Sequence, residues 1–295
     1  MLTQMHKKII ILGASGMLGG SLFRHFSCCD KYDVLGTVRS ENAAHLIKKQ
    51  GFENIITGID TYNISTISNL IKEFRPDYLF NCVGIIKQLD AAKNNITSIE
   101  INALIPHKLA EICTLNNVKL IHFSTDCVFT GDRGNYKETD IPDATDLYGL
   151  TKRMGEVAYD GHLTLRTSII GHELSSHHSL IDWFLSQKKP VNGYSKAIFS
   201  GLPTCYVAEV IEKYVFPNDK LSGLKHLSAS PISKFDLLNI VNSIYGKNID
   251  IIESDNLVID RSLNSDHFRH ETGFSPEPWD LLIEKMNNEY KKYFK

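Results

Sequence analysis

The sequence predicts an α/β fold, a doubly wound parallel sheet with a smaller lobe at its C-terminal side. Three observations carry this. From residue 8 to about 168, short aliphatic runs alternate with longer segments of helical period. Those runs are continuously apolar, as strands covered on both faces must be. Beyond about residue 170 the pattern turns irregular, in "GHELSSHHSLIDWFLSQKKPVNGYSKAIFSGLPT".

The elements follow in order. Strands are predicted at 8–12, 33–38, 54–57, 77–82, 118–123 and 163–168. Helices are predicted between them at 17–26, 41–50, 64–74, 96–116 and 148–159. Strand–helix–strand units close with right-handed crossovers, which builds a parallel sheet with helices on both faces. Helices at 205–215, 233–244 and 279–293 belong to the later lobe. The expected division is 1–168 for the sheet domain and 169–295 for the lobe. No Pro/Gly/Ser-rich linker separates them, so one cooperative body with the chain crossing between lobes is expected.

Bulk properties narrow the function classes. The chain has 295 residues, 32 basic and 34 acidic side chains, and a formal net charge of -2. Such a balance gives no general attraction to nucleic acid or an anionic membrane, so any anion must be held locally. The start, "MLTQMHKKIIILGASG", has four aliphatic residues before a glycine, far short of a secretory or membrane-spanning run. The six cysteines lack metal-type spacing and read as reduced thiols of a cytoplasmic protein.

"ILGASGMLG" places Gly13, Gly16 and Gly19 three apart, directly after the first strand and opening the first helix. There the backbone must turn sharply and approach a pyrophosphate, whose charge meets the helix N-terminus. In strand–loop–helix context this predicts a dinucleotide site of the Rossmann type, with Ser15, Met17 and Leu18 completing the turn. The second strand ends in "GTVRS" rather than in an acidic residue. Arg39 and Ser40 can meet a 2′-phosphate, favouring NADP(H) over NAD(H); the alternative is a surface arginine opening a helix. Asp60 is placed to meet the adenine, and Cys82, Val83 and Gly84 follow the fourth strand beside the middle of the cofactor.

Tyr148 and Lys152 stand four apart in "LYGLTKRMGE", on one face of a helix. A free tyrosine holds its proton to about pH 10, too high for efficient transfer at neutral pH. An adjacent ammonium is expected to lower that pKa, and Lys152 can also hold the nicotinamide ribose. The preceding strand runs out through "FSTD", so a hydroxyl at Thr125, or Ser124, can hold a substrate oxygen against the phenol. Phenol, ammonium and hydroxyl together suit proton transfer to an oxygen while hydride moves at its carbon.

With these pieces in place, the chain resembles the extended short-chain dehydrogenase/reductases, in particular the dTDP-4-dehydrorhamnose reductase-like branch. "GASGMLG", "FSTDCVF", "ETD", "YGLTKRMGE", "LRTSIIG", "SGLPT" and "DRSLNS" carry the resemblance, reaching from the first strand to near residue 265. It implies an NADPH-dependent reductase of a 4-keto sugar nucleotide, with Thr125 as the hydroxyl, Tyr148 as the acid and Lys152 as its partner. It further implies that the C-terminal lobe binds the substrate. Asp126, Arg166, Thr204, Arg261 and Asn264 are the candidate substrate contacts, the two arginines having salt bridges or caps as alternatives. Trp183 and Phe184 read as helix core or pocket wall. "HELSSHH" holds His172, His177 and His178 without a carboxylate or cysteine at metal spacing, and reads as a mobile loop over the pocket.

Two other functions compete. A related dehydratase or epimerase would retain its cofactor, but dehydratases of this type carry Asp-Glu after the threonine, and here Asp126 is followed by Cys127. A non-catalytic, cofactor-binding regulatory subunit would tend to lose the tyrosine, lysine or hydroxyl, and all three are present. "DCVF", "NCVGIIKQ" and the lobe segment depart from the usual rhamnose-pathway residues, leaving a UDP-linked sugar as a rival to a dTDP-linked one. The segments 96–116 and 148–159 would form the dimer seam if the protein pairs; a monomer is the alternative.

Overall fold

A computed structural model describes residues 6–86, 94–175 and 179–295. In chain order the first elements are β1 (Lys7–Leu12), α1 (Met17–Ser27), β2 (Tyr32–Thr37), α2 (Glu41–Lys49), β3 (Ile55–Ile56), α3 (Ile64–Phe74) and β4 (Tyr78–Asn81). Then come α4 (Asn95–Ser98), a π-helical stretch (Ile99–Leu104), α5 (Ile105–Leu115), β5 (Lys119–Ser124) and α6 (Leu147–Met154). β6 (Leu163–Arg166), β7 (Ile169–Ile170), α7 (Leu180–Ser186), β8 (Val191–Tyr194), β9 (Ala197–Phe199), β10 (Leu202–Pro203) and α8 (Thr204–Val210) follow. The chain ends through β11 (Gly223–His226), β12 (Ile232–Ser233), α9 (Lys234–Tyr245), β13 (Ile251–Ser254), β14 (Ile259–Asp260), α10 (Asp266–Thr272) and α11 (Trp279–Tyr293).

Seven strands form one sheet in the order β11-β6-β5-β4-β1-β2-β3. β1 pairs in parallel with β2 and β4, β2 with β3, and β4 with β5. The doubly wound prediction therefore stands. Chain order reverses direction across the sheet between β1 and β4, the switch point outside whose carboxyl ends open sheets of this kind bind ligands. Helix starts are set by side chains: Ser40 Oγ accepts from Ala43 N, Asn63 Oδ1 from Thr66 N, and Ser233 Oγ from Asp236 N.

The chain divides into two compact units. The first comprises Met1–Ser124, Leu150–Thr164 and Lys220–Leu224; the second comprises Thr125–Gly149, Leu165–Asp219 and Lys225–Lys295. The first unit's core joins Ile10, Leu12, Leu79 and Leu120 of the sheet to Ile67, Leu109 and Val157 of its surroundings. In the second, Phe184, Leu237, Val241, Ile283 and Met286 gather α7, α9 and α11 around their own core. Phe184 is fully buried while Trp183 is 40% exposed, so the core reading fits Phe184 alone.

Most helices lie within a residue or two of their predicted bounds; three do not. The segment 96–116 is interrupted by the π-helical stretch, α6 ends at Met154, and the helix predicted at 205–215 passes at Val210 into a second π-helical stretch, Ile211–Val215. Short strands, α7 and α10 occupy the region that was irregular in sequence, since two- to four-residue strands leave too little periodicity to read. Among the described residues no helix is long and apolar enough to cross a membrane.

Candidate active site

The glycine loop joins β1 to α1 through a tight turn. Gly13 takes φ +82°, Gly16 N donates to Gly13 O at 3.0 Å, and Gly16 is the N-cap of α1 with no side-chain cap. A Cβ on Gly19 would lie 2.2 Å from Gly13 O, and one on Gly13 would lie 3.1 Å from Val83 Cγ2. Side chains are thus excluded where the helix start, the turn and the β4 exit meet. A cradle of bare backbone with no acidic residue in the helix's first turn suits a diphosphate. Cys82 lies against this turn, its N donating to Leu12 O at 3.1 Å. Burial pushes the Cys82 thiol well above its ordinary pKa, Lys152 opposing, so it is a packing residue rather than a nucleophile.

At the end of β2, Arg39 is exposed and makes no ion pair among the described residues. Ser40 is occupied as the cap of α2. Asp60 Oδ1 accepts from Tyr62 N at 3.1 Å, holding the turn into α3.

Lys152 is the first unit's catalytic candidate. It is only 7% exposed, and its Nζ donates to Phe123 O at 2.7 Å, at the carboxyl end of β5. Gly84 faces it, a Cβ there lying 3.9 Å from Nζ. Burial lowers the Lys152 pKa to about 8, while Glu156 and Cys82 pull it upward. At neutral pH it remains an ammonium. Two supporting residues escaped sequence reading. Asn102, on the π-helical stretch, accepts from Ile85 N at 2.9 Å and donates to Thr151 Oγ1 at 3.4 Å. Glu156 Oε1 accepts from Ser124 Oγ at 2.7 Å, which ties the chain after α6 to β5 and commits Ser124 elsewhere than the catalytic hydroxyl.

The second unit gathers Thr125, Tyr148, Asp126 and Arg261. Tyr148 keeps part of its surface open, and its phenol hydrogen-bonds Thr125. Helix α6 carries Tyr148 in its first turn and Lys152 one turn later. The Tyr148 pKa is raised rather than lowered, which corrects the sequence expectation. Burial is the largest cause, then Cys127, with Thr125 opposing and Asp126 and Asp146 adding. The phenol is therefore held protonated, as an acid. Asp126 is 9% exposed, and burial raises its pKa against the pull of Arg261 and bonds from Thr125, Cys127 and Ser168. Arg261 Nε donates to Phe129 O at 2.8 Å.

Lys234, the first residue of α9, is a further neighbour that sequence reading missed. Burial lowers its pKa, Asp126 and Cys127 raising it and Arg261 lowering it. No motif marked it; only the fold brings it near Asp126.

The remaining candidates are engaged elsewhere. Arg166 is 3% exposed, with Nη1 3.2 Å from His226 Nε2 and its guanidinium over the Phe129 ring. Thr204 is 1% exposed at the start of α8. Asn264 Oδ1 accepts from Asp266 N, the first residue of α10. His172 is buried between Asp182 (2.5 Å) and Tyr245 OH (2.9 Å); His177 and His178 lie outside the described residues, as does part of the loop assigned to cover the pocket.

A parallel doubly wound sheet, a glycine turn at β1 and a Tyr-x-x-x-Lys helix define a dinucleotide-binding protein of the short-chain dehydrogenase/reductase class. The chain belongs to the RmlD substrate binding domain family, whose family model matches residues 7–248. It is 26% identical to the dTDP-4-dehydrorhamnose reductase of Aggregatibacter actinomycetemcomitans over 241 residues, 78% of this chain and 76% of that protein. It is also 26% identical to bovine methionine adenosyltransferase 2 subunit beta over 157 residues, 52% of this chain and 42% of that one. Among solved structures, the dTDP-4-dehydrorhamnose reductase of Bacillus anthracis in complex with NADP superposes with a TM-score of 0.78. It shares 23% identity over 97% of this chain and all of that chain.

The loop geometry makes one prediction. Gly19→Ala places a methyl against Gly13 O, so the turn must open. Titration with NADPH should show affinity lowered at least about 10-fold while the circular dichroism of the sheet and helices is retained. Unchanged affinity would mean that this turn does not cradle the dinucleotide.

Proposed function

We propose that this protein is an NADPH-dependent reductase of a 4-keto-6-deoxy sugar nucleotide, acting in the supply of deoxysugars for polysaccharide synthesis. The observation that carries the reading is the Thr125–Tyr148 hydrogen bond at the start of the helix that bears Lys152. Membership of a family that includes dTDP-4-dehydrorhamnose reductases supports it.

When bound, dihydronicotinamide supplies the hydride for the carbonyl carbon. The Thr125 hydroxyl holds the carbonyl oxygen, and the Tyr148 phenol gives that oxygen its proton. A phenol with a raised pKa arrives protonated, as the reductive direction requires. Lys152, still an ammonium at pH 7, stabilises the phenolate that remains. Gly13, Ser15, Gly16, Met17, Leu18 and Gly19 would bind the diphosphate, Cys82, Val83 and Gly84 the middle of the cofactor, and Asp60 the adenine. Asp126 and Arg261 would bind the sugar nucleotide.

The regulatory-subunit reading draws on the match to methionine adenosyltransferase 2 subunit beta. Against it stand the intact phenol, ammonium and hydroxyl. NADPH oxidation against dTDP- and UDP-linked 4-keto-6-deoxy sugars separates the two readings. Tyr148→Phe should lower kcat about 10²- to 10⁴-fold with NADPH still bound. Equal turnover in the variant would remove the phenol from the chemistry, and stoichiometric association with another protein without turnover would favour the regulatory subunit.

Arg39, exposed just beyond β2 and without an ion pair among the described residues, would hold the 2′-phosphate of NADP(H). Arg39→Ala should weaken NADPH binding about 10- to 100-fold and leave NADH binding unchanged in the same titration. A parallel loss for both cofactors, or for neither, contradicts the assignment.

A homodimer is the assembly that the first unit's surface supports. Leu104 (45% exposed) precedes His107 by one turn, and His107 bonds Met154 O and stacks on Tyr159. Ile99 and Met154 are also exposed, so apolar side chains from both helical segments face outward together. Sedimentation should give a dimer that Leu104→Glu with Met154→Glu converts to monomer; a monomeric wild type rules it out.

A further inference from the structure

His122 sits on β5 opposite Asn81 of β4, and each is 1% exposed. Asn81 Oδ1 accepts from Val83 N at 3.2 Å, which leaves its amide Nδ2 to face His122 Nδ1 at 3.1 Å. An amide nitrogen only donates, so Nδ1 of the imidazole must accept and the ring proton belongs on Nε2. Burial, then the charges of Lys152 and His107, hold the His122 pKa well below its ordinary value, so the ring is neutral. Nε2 is buried and has no partner among the described residues. A buried N–H of this kind calls for an acceptor.

The same place holds another donor with capacity to spare. The Lys152 ammonium has three N–H groups, and among the described residues only Phe123 O, one residue beyond His122, accepts from it. The bond to Phe123 O and the approach of Gly84 put Nζ at the carboxyl end of β5 and just beyond that of β4, and its charge acts on both His122 and Cys82. The side-chain acceptors at these strand ends each hold another donor, Asn81 Oδ1 that of Val83, Asn102 Oδ1 that of Ile85 and Glu156 Oε1 that of Ser124, and among the described residues none accepts from His122 Nε2. A water oxygen, with two lone pairs, answers both donors.

We propose that His122 is a positioning residue for Lys152: its Nε2–H grips an internal water that also accepts from the Lys152 ammonium and seats Nζ at the strand ends. The inference rests on the reading of Lys152 as the partner of Tyr148. The charged and titratable groups around Lys152 in its unit are Glu156 after its own helix, Cys82 after β4 and His122 on β5, with His107 of α5 beyond. Removing the water removes an acceptor from the ammonium, which favours the neutral amine. The loss of activity on raising pH, set by Lys152, then moves to lower pH.

The test compares His122→Leu, which cannot donate, with His122→Gln, which can. With dTDP-4-dehydrorhamnose and NADPH, His122→Leu should lower kcat about 10- to 100-fold and shift the alkaline limb of its pH profile downward, with KM for NADPH little changed. His122→Gln should recover most of both. In the cofactor-free wild type, ¹⁵N-imidazole spectra should show His122 as the neutral Nε2–H tautomer with a slowly exchanging proton. Unchanged kcat and limb in His122→Leu, loss of thermal stability alone in both variants, or an Nδ1–H tautomer overturns the inference. Lys152→Met is the control. If it is inactive while His122→Leu is normal, only this inference falls; if it turns over normally, the reading of Lys152 falls and takes the inference with it.

Discussion

The buried ammonium of Lys152 is the constraint around which the site is organised. A lysine that is 7% exposed and, among the described residues, bonded to a single backbone carbonyl is costly to keep charged, and its pKa of about 8 follows from that cost. The surrounding structure holds it there from several directions. Phe123 O fixes Nζ to β5, the Ser124–Glu156 bond fastens the segment beyond α6 to the same strand, and Asn102 binds Thr151 beside it. Perturbation by burial together with named charge partners makes Lys152 a functional-site candidate on physical grounds.

The acid is tuned in the opposite sense. Burial lowers the pKa of Lys152 toward neutrality and raises that of Tyr148 beyond its ordinary value. For a dehydrogenase starting from an alcohol, a protonated tyrosine would be the wrong starting state. For a reductase it is the right one, because the carbonyl oxygen must receive a proton as its carbon receives hydride. A phenol is protonated at neutral pH at its ordinary pKa as well, and the upward shift keeps it so.

What could be read in the sequence divides along lines of periodicity. The five β-strands that build the centre of the sheet, and helices such as α1, α3 and α11, announced themselves through long apolar runs or strong helical period. The glycine turn was legible because its demand is steric: nothing but hydrogen fits where Gly19 meets Gly13 O. Thr125, Tyr148 and Lys152 were legible because a strand end and a four-residue spacing place them. β11 escaped notice, being four residues long and separated in sequence by residues 167–222 from β6, beside which it pairs. The direction of the Tyr148 shift was misread for a related reason, since burial is a property of the folded chain and outweighs any effect assigned from spacing alone.

The residues least visible in sequence are those that position others. Asn102 owes its place to a π-helical stretch that no spacing rule foretells, and it holds Thr151 and Ile85 rather than any ligand. Lys234 follows a serine cap and would pass for the first residue of any helix, yet it feels Asp126, Arg261 and Cys127. With Arg261 it brings a second positive charge to the neighbourhood of the buried Asp126. On the proposed function, a near-neutral protein would bind its anionic nucleotide by local concentration of charge, and this cluster would supply it. Asp126 keeps that cluster from being purely cationic: its carboxyl can accept from sugar hydroxyls while the cations face phosphate oxygens, so the second unit offers complementary groups for both halves of a sugar nucleotide.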